Sequence, residues 1–556
     1  MQIIIPMSGF GERFRRAGYA VPKPLIEIDG KSIIGHVIDM FPGELDFIFI
    51  CNQEHLDDPD YHMESILRQF CPTGRIIGIP PHKLGPIHAV RQVEHLIDPA
   101  RPVVVNYCDF TCYWDWHHFK EFVTKTACAG AIPAYKGFHP HTLGSTNYAY
   151  IREDNGWVQD IQEKQSYTSN RMAEFASSGT YYFASGEIMS EAFRLTMDRE
   201  LNVAGEYYVS LAYKPMLAAN RPVAVYPLQY FMQWGTPDDV AEYNGWSAAF
   251  KRLSVTENAP PAPKGSLVVP MAGLGQRFVN EGYSVTKPLI LVSGKPMVTQ
   301  TTHDLPAAIH HVFVLRSDMP GYQEISDELK RIYPAAVIET IPSVTDGQAC
   351  TALLGLEALE NTVGSVPGPV TFGACDNGAL YDADVFQQLV DNPDMDVIVW
   401  SVRGHANAMR HPKMFGWVDA ENGRIRHISV KTPLQSPATD PIVLGTFTFR
   451  RAVDFRRVVE HLIARDGRIN GEFYIDSCIN DAIELGLRCH LFEVDNFLSW
   501  GTPNDLRTFE YWQSCFHKWA SHPYRLELDG RIPKDALLAL EERYQATVPE
   551  LPGDYA

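Results

Sequence analysis

The stretch IIIPMSGFGERF (Ile3 to Phe14) is followed by KPLIEIDGK (Lys23 to Lys31), and the pattern returns as LVVPMAGLGQRF (Leu267 to Phe278) followed by KPLILVSGK (Lys287 to Lys295). In each copy an apolar run enters a glycine-rich loop, where glycine lets a ligand approach the backbone closely. Later motifs recur at the same interval of roughly 265 residues, which is too long for a solenoid repeat. The chain therefore contains a duplicated domain, and each copy is large enough to bury its own core.

Short β-branched runs such as FIFI and HVFVL alternate with helix-like segments such as ACTALLGLEAL. This alternation predicts an α/β fold: two tandem Rossmann-like domains, each a mostly parallel mixed sheet flanked by helices. A Pro/Ala-rich stretch marks a linker, and one amphipathic helix is predicted from about residue 533 to 544. The predicted organisation is an N-terminal domain (1–256), a linker (257–265), a C-terminal domain (266–515) and a short helical C-terminal tail (516–556).

The composition is that of a globular protein, with 45% hydrophobic and 21% charged residues. A formal net charge of −19 argues against a basic surface for nucleic acid, so anionic ligands must be held by local groups of cations. The sequence shows no charged leader and no apolar stretch of membrane-spanning length, which predicts a cytoplasmic protein without a membrane partner. The ten cysteines follow no paired framework and are expected to be reduced.

The glycine-rich loop has the chemistry of a triphosphate site. A strand that runs into G-x-G-x-R presents backbone amides at its end and adds a cation one step later. A Rossmann dinucleotide site is the competing interpretation, but Phe14 and Phe278 replace its third glycine, and a proline in KPL follows where its first helix should continue. The predicted nucleotide-binding residues of the two loops are Ser8, Gly9 and Gly11, and Ala272, Gly273 and Gly275.

Taken in order, the motifs G-x-G-x-R-F, K-P-L-I, a strand-end Asp, E-K, G-E-Y-Y and W-G-T-P resemble the sugar-phosphate nucleotidylyltransferase family. The resemblance covers nearly the whole chain, twice. It implies a GT-A-like fold, a requirement for Mg²⁺, and a reaction that joins a nucleoside triphosphate to a sugar 1-phosphate with release of pyrophosphate. A GT-A glycosyltransferase would share the fold, but the R-F and K-P-L opening favours the nucleotidylyltransferase.

The resemblance also implies roles for individual residues. The catalytic cations would neutralise phosphate charge; they are Arg13, Lys23 and Lys164, and Arg277, Lys287 and Lys431. The strand-end acids Asp109 and Asp376 would complete the catalytic sets and bind Mg²⁺. Substrate-binding residues would be Gly179 and Glu206, and Gly445 and Glu472, with each glutamate facing sugar hydroxyls. Base recognition is expected at Gly85 in the first copy and at Gly347 and Gln348 in the second.

Both copies depart from the family pattern. Where relatives carry a second metal-binding acid before W-G-T, this chain has Gln233 and Ser499, so Mg²⁺ would be held mainly by the triphosphate with Asp109 or Asp376, or by a nearby acid, Asp239 or Asp505. The second copy has Val430 where the first has the acid Glu163, which predicts a diverged acceptor pocket. The first copy lacks a counterpart of Gln348. The copies are therefore expected either to prefer different nucleotides or to include one that has lost the reaction.

Three functions remain open at this point. The first is a nucleotidylyltransferase that activates a sugar phosphate for surface polysaccharide or glycoconjugate synthesis. The second keeps the chemistry, in the manner of a cytidylyltransferase, but uses a non-sugar phosphate as acceptor. The third is a regulator that binds a nucleotide or nucleotide sugar without turnover. The expected partners are a nucleoside triphosphate and a phosphorylated small molecule, with the oligomeric state left open between monomer and dimer.

Overall fold

The computed structural model describes residues 1–145, 147–255 and 262–544. These residues form two compact units, Met1–Asn244 and Gly245–Tyr544, which are called the first and second domain below. Most of the predicted linker, residues 257–261, and the end of the predicted tail, residues 545–556, lie outside the described residues. The domain limits inferred from the sequence stay predictions.

The first domain contains one large mixed sheet of ten strands and two small sheets of two strands each. Its strands are β1 (Gln2–Met7), β2 (Glu27–Ile28), β3 (Lys31–Ser32), β4 (Phe47–Asn52), β5 (Arg75–Ile79), β6 (Val103–Asn106), β7 (Phe110–Tyr113), β8 (Gly130–Tyr135), β9 (Ala149–Asp154), β10 (Trp157–Glu163), β11 (Phe175–Ser177), β12 (Thr180–Phe183), β13 (Val223–Leu228) and β14 (Tyr230–Gln233). Its helices are α1 (Glu12–Arg16), α2 (Ile33–Asp39), α3 (Gln53–Asp57), α4 (Met63–Phe70), α5 (Pro86–Gln92), α6 (Trp116–Thr126), α7 (Gly186–Asp198), α8 (Tyr213–Ala218) and α9 (Pro237–Leu253), which contains the domain boundary.

Ten strands of the first domain follow the order β11-β9-β10-β13-β8-β12-β6-β1-β4-β5. Strands β6, β1, β4 and β5 are parallel, as are β8 and β13, whereas the remaining pairs are antiparallel. Every residue of β1 and β4 is buried, as expected for strands covered by helices on both faces. The carboxyl ends of β1 and β6 therefore meet at one edge of the sheet, which is where ligands bind in open α/β sheets.

The second domain repeats this plan. Its strands are β15 (Ser266–Pro270), β16 (Leu291–Val292), β17 (Lys295–Pro296), β18 (His310–Arg316), β19 (Val337–Ile341), β20 (Val370–Phe372), β21 (Asn377–Leu380), β22 (Val397–Val402), β23 (Gly416–Glu421), β24 (Arg424–Val430), β25 (Ile442–Phe449), β26 (Cys489–Glu493) and β27 (Asn496–Ser499). Its helices are α10 (Gln276–Asn280), α11 (Met297–Asp304), α12 (Tyr322–Ile332), α13 (Gln348–Val363), α14 (Ala383–Asp391), α15 (Ala406–Arg410), α16 (Ala452–Ala464), α17 (Ile475–Glu484), α18 (Pro503–Lys518) and α19 (Leu537–Arg543).

The large sheet of the second domain has the order β19-β18-β15-β20-β25-β22-β26-β24-β23. Strands β20, β15, β18 and β19 are parallel, and β25 pairs antiparallel with β20, as β12 does with β6 in the first domain. Two mixed sheets with flanking helices confirm the predicted α/β class and the duplication. The predicted C-terminal helix is also confirmed, although it is α19 and begins at Leu537, after a 3-10 turn over Lys534–Ala536.

Two predictions from composition concern the whole chain. All ten cysteines are unpaired, and most of them are buried, which agrees with the expected reduced state. Within the three described ranges, none of the helices combines the length and the apolar character needed to cross a bilayer.

Candidate active sites of the two domains

The glycine-rich loop leaves each sheet at the end of its first strand. Gly11 and Gly275 both have a φ of +62° and form the N-caps of α1 and α10, a left-handed conformation that glycine adopts without strain. A side chain built on Gly9 or Gly273 would meet no atom within 4 Å. The loop backbone therefore faces open space in both domains, as contact with a bound phosphate chain requires.

Each domain joins the lysine of K-P-L to the acid at the end of the central strand. In the first domain Lys23 Nζ donates a hydrogen bond to Asp109 Oδ2 over 2.8 Å, and in the second Lys287 makes the same ion pair with Asp376. Burial disfavours the charge of each lysine, but the neighbouring carboxylate outweighs it and raises the lysine pKa. Both lysines are therefore charged at neutral pH, and the structure brings each of them together with its predicted acid.

The W-G-T-P segment holds the strand-end acid in place. Trp234 donates its backbone N–H to the Asp109 carbonyl over 2.8 Å, and Trp500 does the same to Asp376 over 3.0 Å. A Cβ on the glycine that follows each tryptophan would lie 3.3 and 3.2 Å from the acid Oδ2. The motif thus holds the backbone of the acid, and its glycine leaves space beside the carboxylate.

The threonine of W-G-T-P starts a helix through a reciprocal cap. Thr236 Oγ1 accepts from the backbone N–H of Asp239 over 3.2 Å, while Asp239 Oδ2 accepts from Thr236 N over 2.9 Å and from Gln233 Nε2 over 2.8 Å. Thr502 and Asp505 form the corresponding cap in the second domain. Burial raises the pKa of both aspartates. Oδ2 of Asp239 already accepts hydrogen bonds from Thr236 and Gln233.

The donor set fits one magnesium ion that is held largely by its substrate. Mg²⁺ is commonly bound by one or two carboxylates together with substrate phosphates. Asp109 can serve Lys23 and a cation at once, since a carboxylate has several lone-pair sites. Gln233 adds a neutral oxygen nearby, which accepts a hydrogen bond from the Tyr148 hydroxyl. Asp109 and, by the same geometry, Asp376 are therefore the residues that would hold the metal.

On the acceptor side of the first domain, the E-K lysine contacts the G-E-Y-Y loop. Lys164 Nζ lies 2.5 Å from the Tyr208 hydroxyl, which in turn donates to Glu206 Oε2 over 2.8 Å. Glu163, the residue before the lysine, accepts from Ser210 Oγ over 2.5 Å. Burial raises the pKa of Glu163 to about 7, against the lowering effects of Ser210 and Lys164.

The corresponding residues of the second domain are arranged differently. Lys431 Nζ donates to the Met414 carbonyl over 2.5 Å and lies 5.5 Å from the centre of the Tyr474 ring. Burial lowers the pKa of Lys431, while the charge of Asp476 acts in the opposite direction. Burial also raises the pKa of Asp476 to about 6. The second domain therefore lacks an acid at Val430 but has another one, Asp476, whose charge acts on Lys431. Comparison of the two copies at position 430 alone does not reveal it.

Gly85 and Gly347 lie where two loops meet. Tyr207 donates its N–H to the Leu84 carbonyl over 2.9 Å and accepts from Ile87 N over 3.1 Å, and Phe473 pairs with Asp346 and Ala349 in the same way over 2.9 and 3.0 Å. A Cβ on Gly85 would come within 2.6 Å of Tyr207 backbone, and one on Gly347 within 2.4 Å of Phe473 backbone. These glycines let the predicted base-binding loop dock on the acceptor loop.

A single cleft of about 550 Å³ gathers most of the predicted residues of the first domain. Its wall includes Gly9, Gly11, Arg13, Lys23, Asp109, Glu163, Lys164, Gly179 and Glu206. Ser8 and Gly85 are not among the lining residues; Ser8 is buried, and its Oγ lies 3.4 Å from His82 Nε2. Predicted nucleotide and acceptor residues therefore share one open cavity.

The remaining predicted residues differ in their exposure to solvent. Arg13 and Arg277 are exposed, and their charges act on Lys23 and on Lys287 and Lys431, respectively. Gln348 is half-buried as the first residue of α13, whereas α5 begins with Pro86 at the same place. In the second domain the carbonyls of Ala272 and Gly273 accept from the buried guanidinium of Arg316, and Gly445 has a φ of +86° beside Ala374. Glu472 is exposed.

Sequence reasoning missed two tyrosine hydroxyl groups of the cleft, one on Lys164 and one on Gln233. Tyr148 and Tyr208 line the cleft and bind residues that were predicted. Tyr208 has a repeated counterpart in Tyr474, so the recurrence of G-E-Y/F-Y carried a signal for it. Tyr148 has no such signal, because the second domain has Phe415 at that place.

Comparisons with known proteins agree with this geometry. A sequence model described as nucleotidyl transferase matches residues 2–222. The bifunctional protein GlmU of Burkholderia mallei (strain SAVP1) is 25% identical over 217 residues, which are 38% of this chain and 43% of GlmU. The chain thus spans less than half the length of the curated relatives that it matches.

Solved structures are also similar to part of this chain. The nucleoside-diphosphate-sugar pyrophosphorylase from Vibrio cholerae RC9 is 21% identical, with 44% of this chain and 98% of that chain covered and a TM-score of 0.38. The inositol-1-phosphate CTP transferase from T. maritima is 13% identical, with 47% and 100% covered and a TM-score of 0.35.

Proposed function

We propose that this chain, whose residues 2–222 match a nucleotidyl transferase sequence model, joins a nucleoside triphosphate to a phosphate monoester and releases pyrophosphate. The observation that carries the proposal is the cleft of the first domain, where an open glycine loop, the Lys23–Asp109 pair, Lys164 and Glu206 line one cavity. This combination provides a place for a triphosphate and a second anion within reach of each other.

The chemistry requires no nucleophile from the protein. A phosphate oxygen of the acceptor attacks the α-phosphorus of the nucleotide in line, a new P–O bond forms, and the bond to the pyrophosphate leaving group breaks. Lys23 and Arg13 stabilise the charge that develops on the leaving group, and Lys164 binds the acceptor phosphate. Positioning and electrostatic stabilisation therefore supply most of the catalysis.

Asp109 would hold Mg²⁺ in this reaction. The ion, when bound, neutralises and orients the triphosphate oxygens. Trp234 holds the Asp109 backbone through a hydrogen bond to its carbonyl, and Gly235 leaves space beside the carboxylate.

A sugar 1-phosphate is the acceptor that we propose for the first domain. Glu206 and Glu163 offer carboxylate oxygens, which suit the hydroxyl groups of a sugar, next to a lysine for its phosphate. The product would be a nucleotide sugar made in the cytoplasm, where nucleoside triphosphates are available, and used for surface polysaccharide or glycoconjugate assembly.

The test is pyrophosphate release by the full chain. ATP, CTP, GTP, UTP and dTTP are each combined with Mg²⁺ and with glucose, mannose and N-acetylglucosamine 1-phosphates, phosphocholine or glycerol 3-phosphate. We expect release that needs one nucleotide and one sugar 1-phosphate and that stops on chelation with EDTA. Release only with phosphocholine or glycerol 3-phosphate would replace the sugar by a non-sugar acceptor. No release, with nucleotide binding retained in calorimetry, would favour a regulatory protein instead.

A further inference from the structure

The acceptor pockets of the two domains differ at three positions that touch one another. In the first domain Ala149 on β9 pairs directly with Glu163 on β10, and in the second Gly416 on β23 pairs with Val430 on β24. The lysines that follow, Lys164 and Lys431, both have a left-handed φ, of 58° and 61°. The strand register and the backbone conformation therefore show that Val430 occupies the place of Glu163.

The third position lies two residues after the tyrosine of the G-E-Y/F-Y motif. Ser210 occupies it in the first domain and donates its hydroxyl to Glu163. Asp476 occupies it in the second domain, in the first turn of α17, where a helix N-terminus favours a carboxylate. The acid is therefore on strand β10 in the first domain and on helix α17 in the second.

Gly416 provides the space for this exchange. A Cβ on Gly416 would lie 2.4 Å from Asp476 Oδ2, so the carboxylate occupies the volume that a methyl group would fill. The first domain has alanine at this place because Ser210 is shorter and does not reach there. The three changes Ala to Gly, Glu to Val and Ser to Asp are therefore parts of one rearrangement.

The charges of the pocket are preserved by the rearrangement. Asp476 and Lys431 interact electrostatically, and Arg277 acts on Lys431 and on Tyr474 from the glycine-loop side. The second domain thus retains two cations and one half-buried acid in the region that corresponds to the first domain's acceptor pocket.

We propose that the second domain binds a phosphate monoester of its own, with Lys431 on the phosphate and Asp476, in place of Glu163, accepting hydrogen bonds from the rest of the ligand. The inference rests on the proposed function for the identity of the ligand class. Because the acid approaches from the helix side, the second pocket contacts a different part of its ligand than the first does. The two domains then select different phosphate monoesters.

The test measures protection of Lys431 from acetic anhydride in the full chain, read by mass spectrometry. Lys164 in the same molecules serves as an internal reference. The probes are glucose, mannose and N-acetylglucosamine 1-phosphates, phosphocholine and glycerol 3-phosphate, with inorganic phosphate for comparison. We expect at least one monoester to protect Lys431 at a lower concentration than inorganic phosphate does. Asp476→Asn should raise that concentration about tenfold, as loss of a hydrogen bond to a charged group does, without changing protection of Lys164.

Two further variants keep the result interpretable. Asp419→Asn removes an exposed acid on the same strand as Gly416 and should change nothing. The triple change Gly416→Ala, Val430→Glu and Asp476→Ser rebuilds the arrangement of the first domain, and it should shift protection of Lys431 to the monoester that protects Lys164, a readout that does not depend on how Asp476→Asn folds.

The inference is overturned if no monoester protects Lys431 better than inorganic phosphate, or if Asp476→Asn keeps the full preference. Protection does not require turnover, so the result is independent of pyrophosphate release. Protection without any release would reject the proposed reaction and leave the pocket in place. Release with protection unaffected by Asp476→Asn would retain the reaction and reject the role of Asp476.

Discussion

The two domains hold the same nucleotide-side pair but differently placed acceptor-side acids. The ion pair Lys23–Asp109 of the first domain recurs in the second as Lys287–Asp376. In each domain the tryptophan of W-G-T-P donates its backbone N–H to the backbone carbonyl of the acid. On the acceptor side, the acid stands on a strand in one domain and on a helix in the other. The contrast teaches that the part of the site that handles phosphate charge has been retained, whereas the part that contacts the ligand has been rebuilt.

The largest expected effect comes from removing the lysine of K-P-L in one domain at a time. Lys23→Ala should lower pyrophosphate release by about 10²- to 10³-fold, because a preorganised cation at the leaving group is lost. Lys287→Ala is the matched variant for the second domain and should leave the release that depends on Lys23 unchanged. Steady-state rates with the active nucleotide measure both. A loss in Lys287→Ala with full release in Lys23→Ala would place the reaction in the second domain instead.

The next effect concerns the docking of the two loops. Gly85→Ala and Gly347→Ala each place a Cβ against backbone at a positive φ, so each should destabilise its domain by about 2–4 kcal/mol. Gly205 and Gly471 share a φ of +83° but have open space around them, so alanine there should cost only about 1 kcal/mol. Urea unfolding of the four variants separates the clash from the φ strain, and equal costs would contradict the docking role.

A smaller effect distinguishes the two acids by pH. Glu163 has a pKa of about 7 and Asp476 of about 6. Each folded-state pKa lies above its ordinary value, so the folded protein binds the proton more tightly and loses this stabilisation as the pH rises through the pKa. The ionised form accepts hydrogen bonds from the ligand, so the acceptor KM of the first domain should fall up to about tenfold from pH 6 to 8. Glu163→Gln should flatten that profile; a profile of unchanged shape in the variant would exclude Glu163 as its source.

The smallest effect should be equal in the two domains. Thr236→Ala and Thr502→Ala each remove a helix N-cap and should cost about 1 kcal/mol of folding free energy. Thermal unfolding of both variants measures the loss. A much larger cost in one domain would show that the cap there also supports the neighbouring acid, Asp239 or Asp505, beyond its role in the helix.

The sequence allowed the duplication, the α/β class and most of the first domain's cleft to be predicted, because each depends on local motifs. It did not allow the Asp476 arrangement to be predicted, since Gly416, Val430 and Asp476 lie on three separate segments and come together only in the fold. The sequence also did not distinguish a glycine that faces open space from a glycine that packs against a second loop. Gly9 faces open space, whereas Gly85 faces the backbone of Tyr207, and both read as glycine in a ligand motif.

The hydrogen-bonded junction between the loops at Gly85 and Tyr207 bears on the kinetics of the reaction. Any displacement of the nucleotide loop carries the segment with Glu206 and Tyr208, because two backbone hydrogen bonds link them. We therefore expect occupancy of one proposed subsite to change the affinity of the other, and such coupling is reciprocal at equilibrium. Substrate addition in the first domain is then expected to follow a preferred order, and the same junction at Gly347 and Phe473 gives the second domain its own.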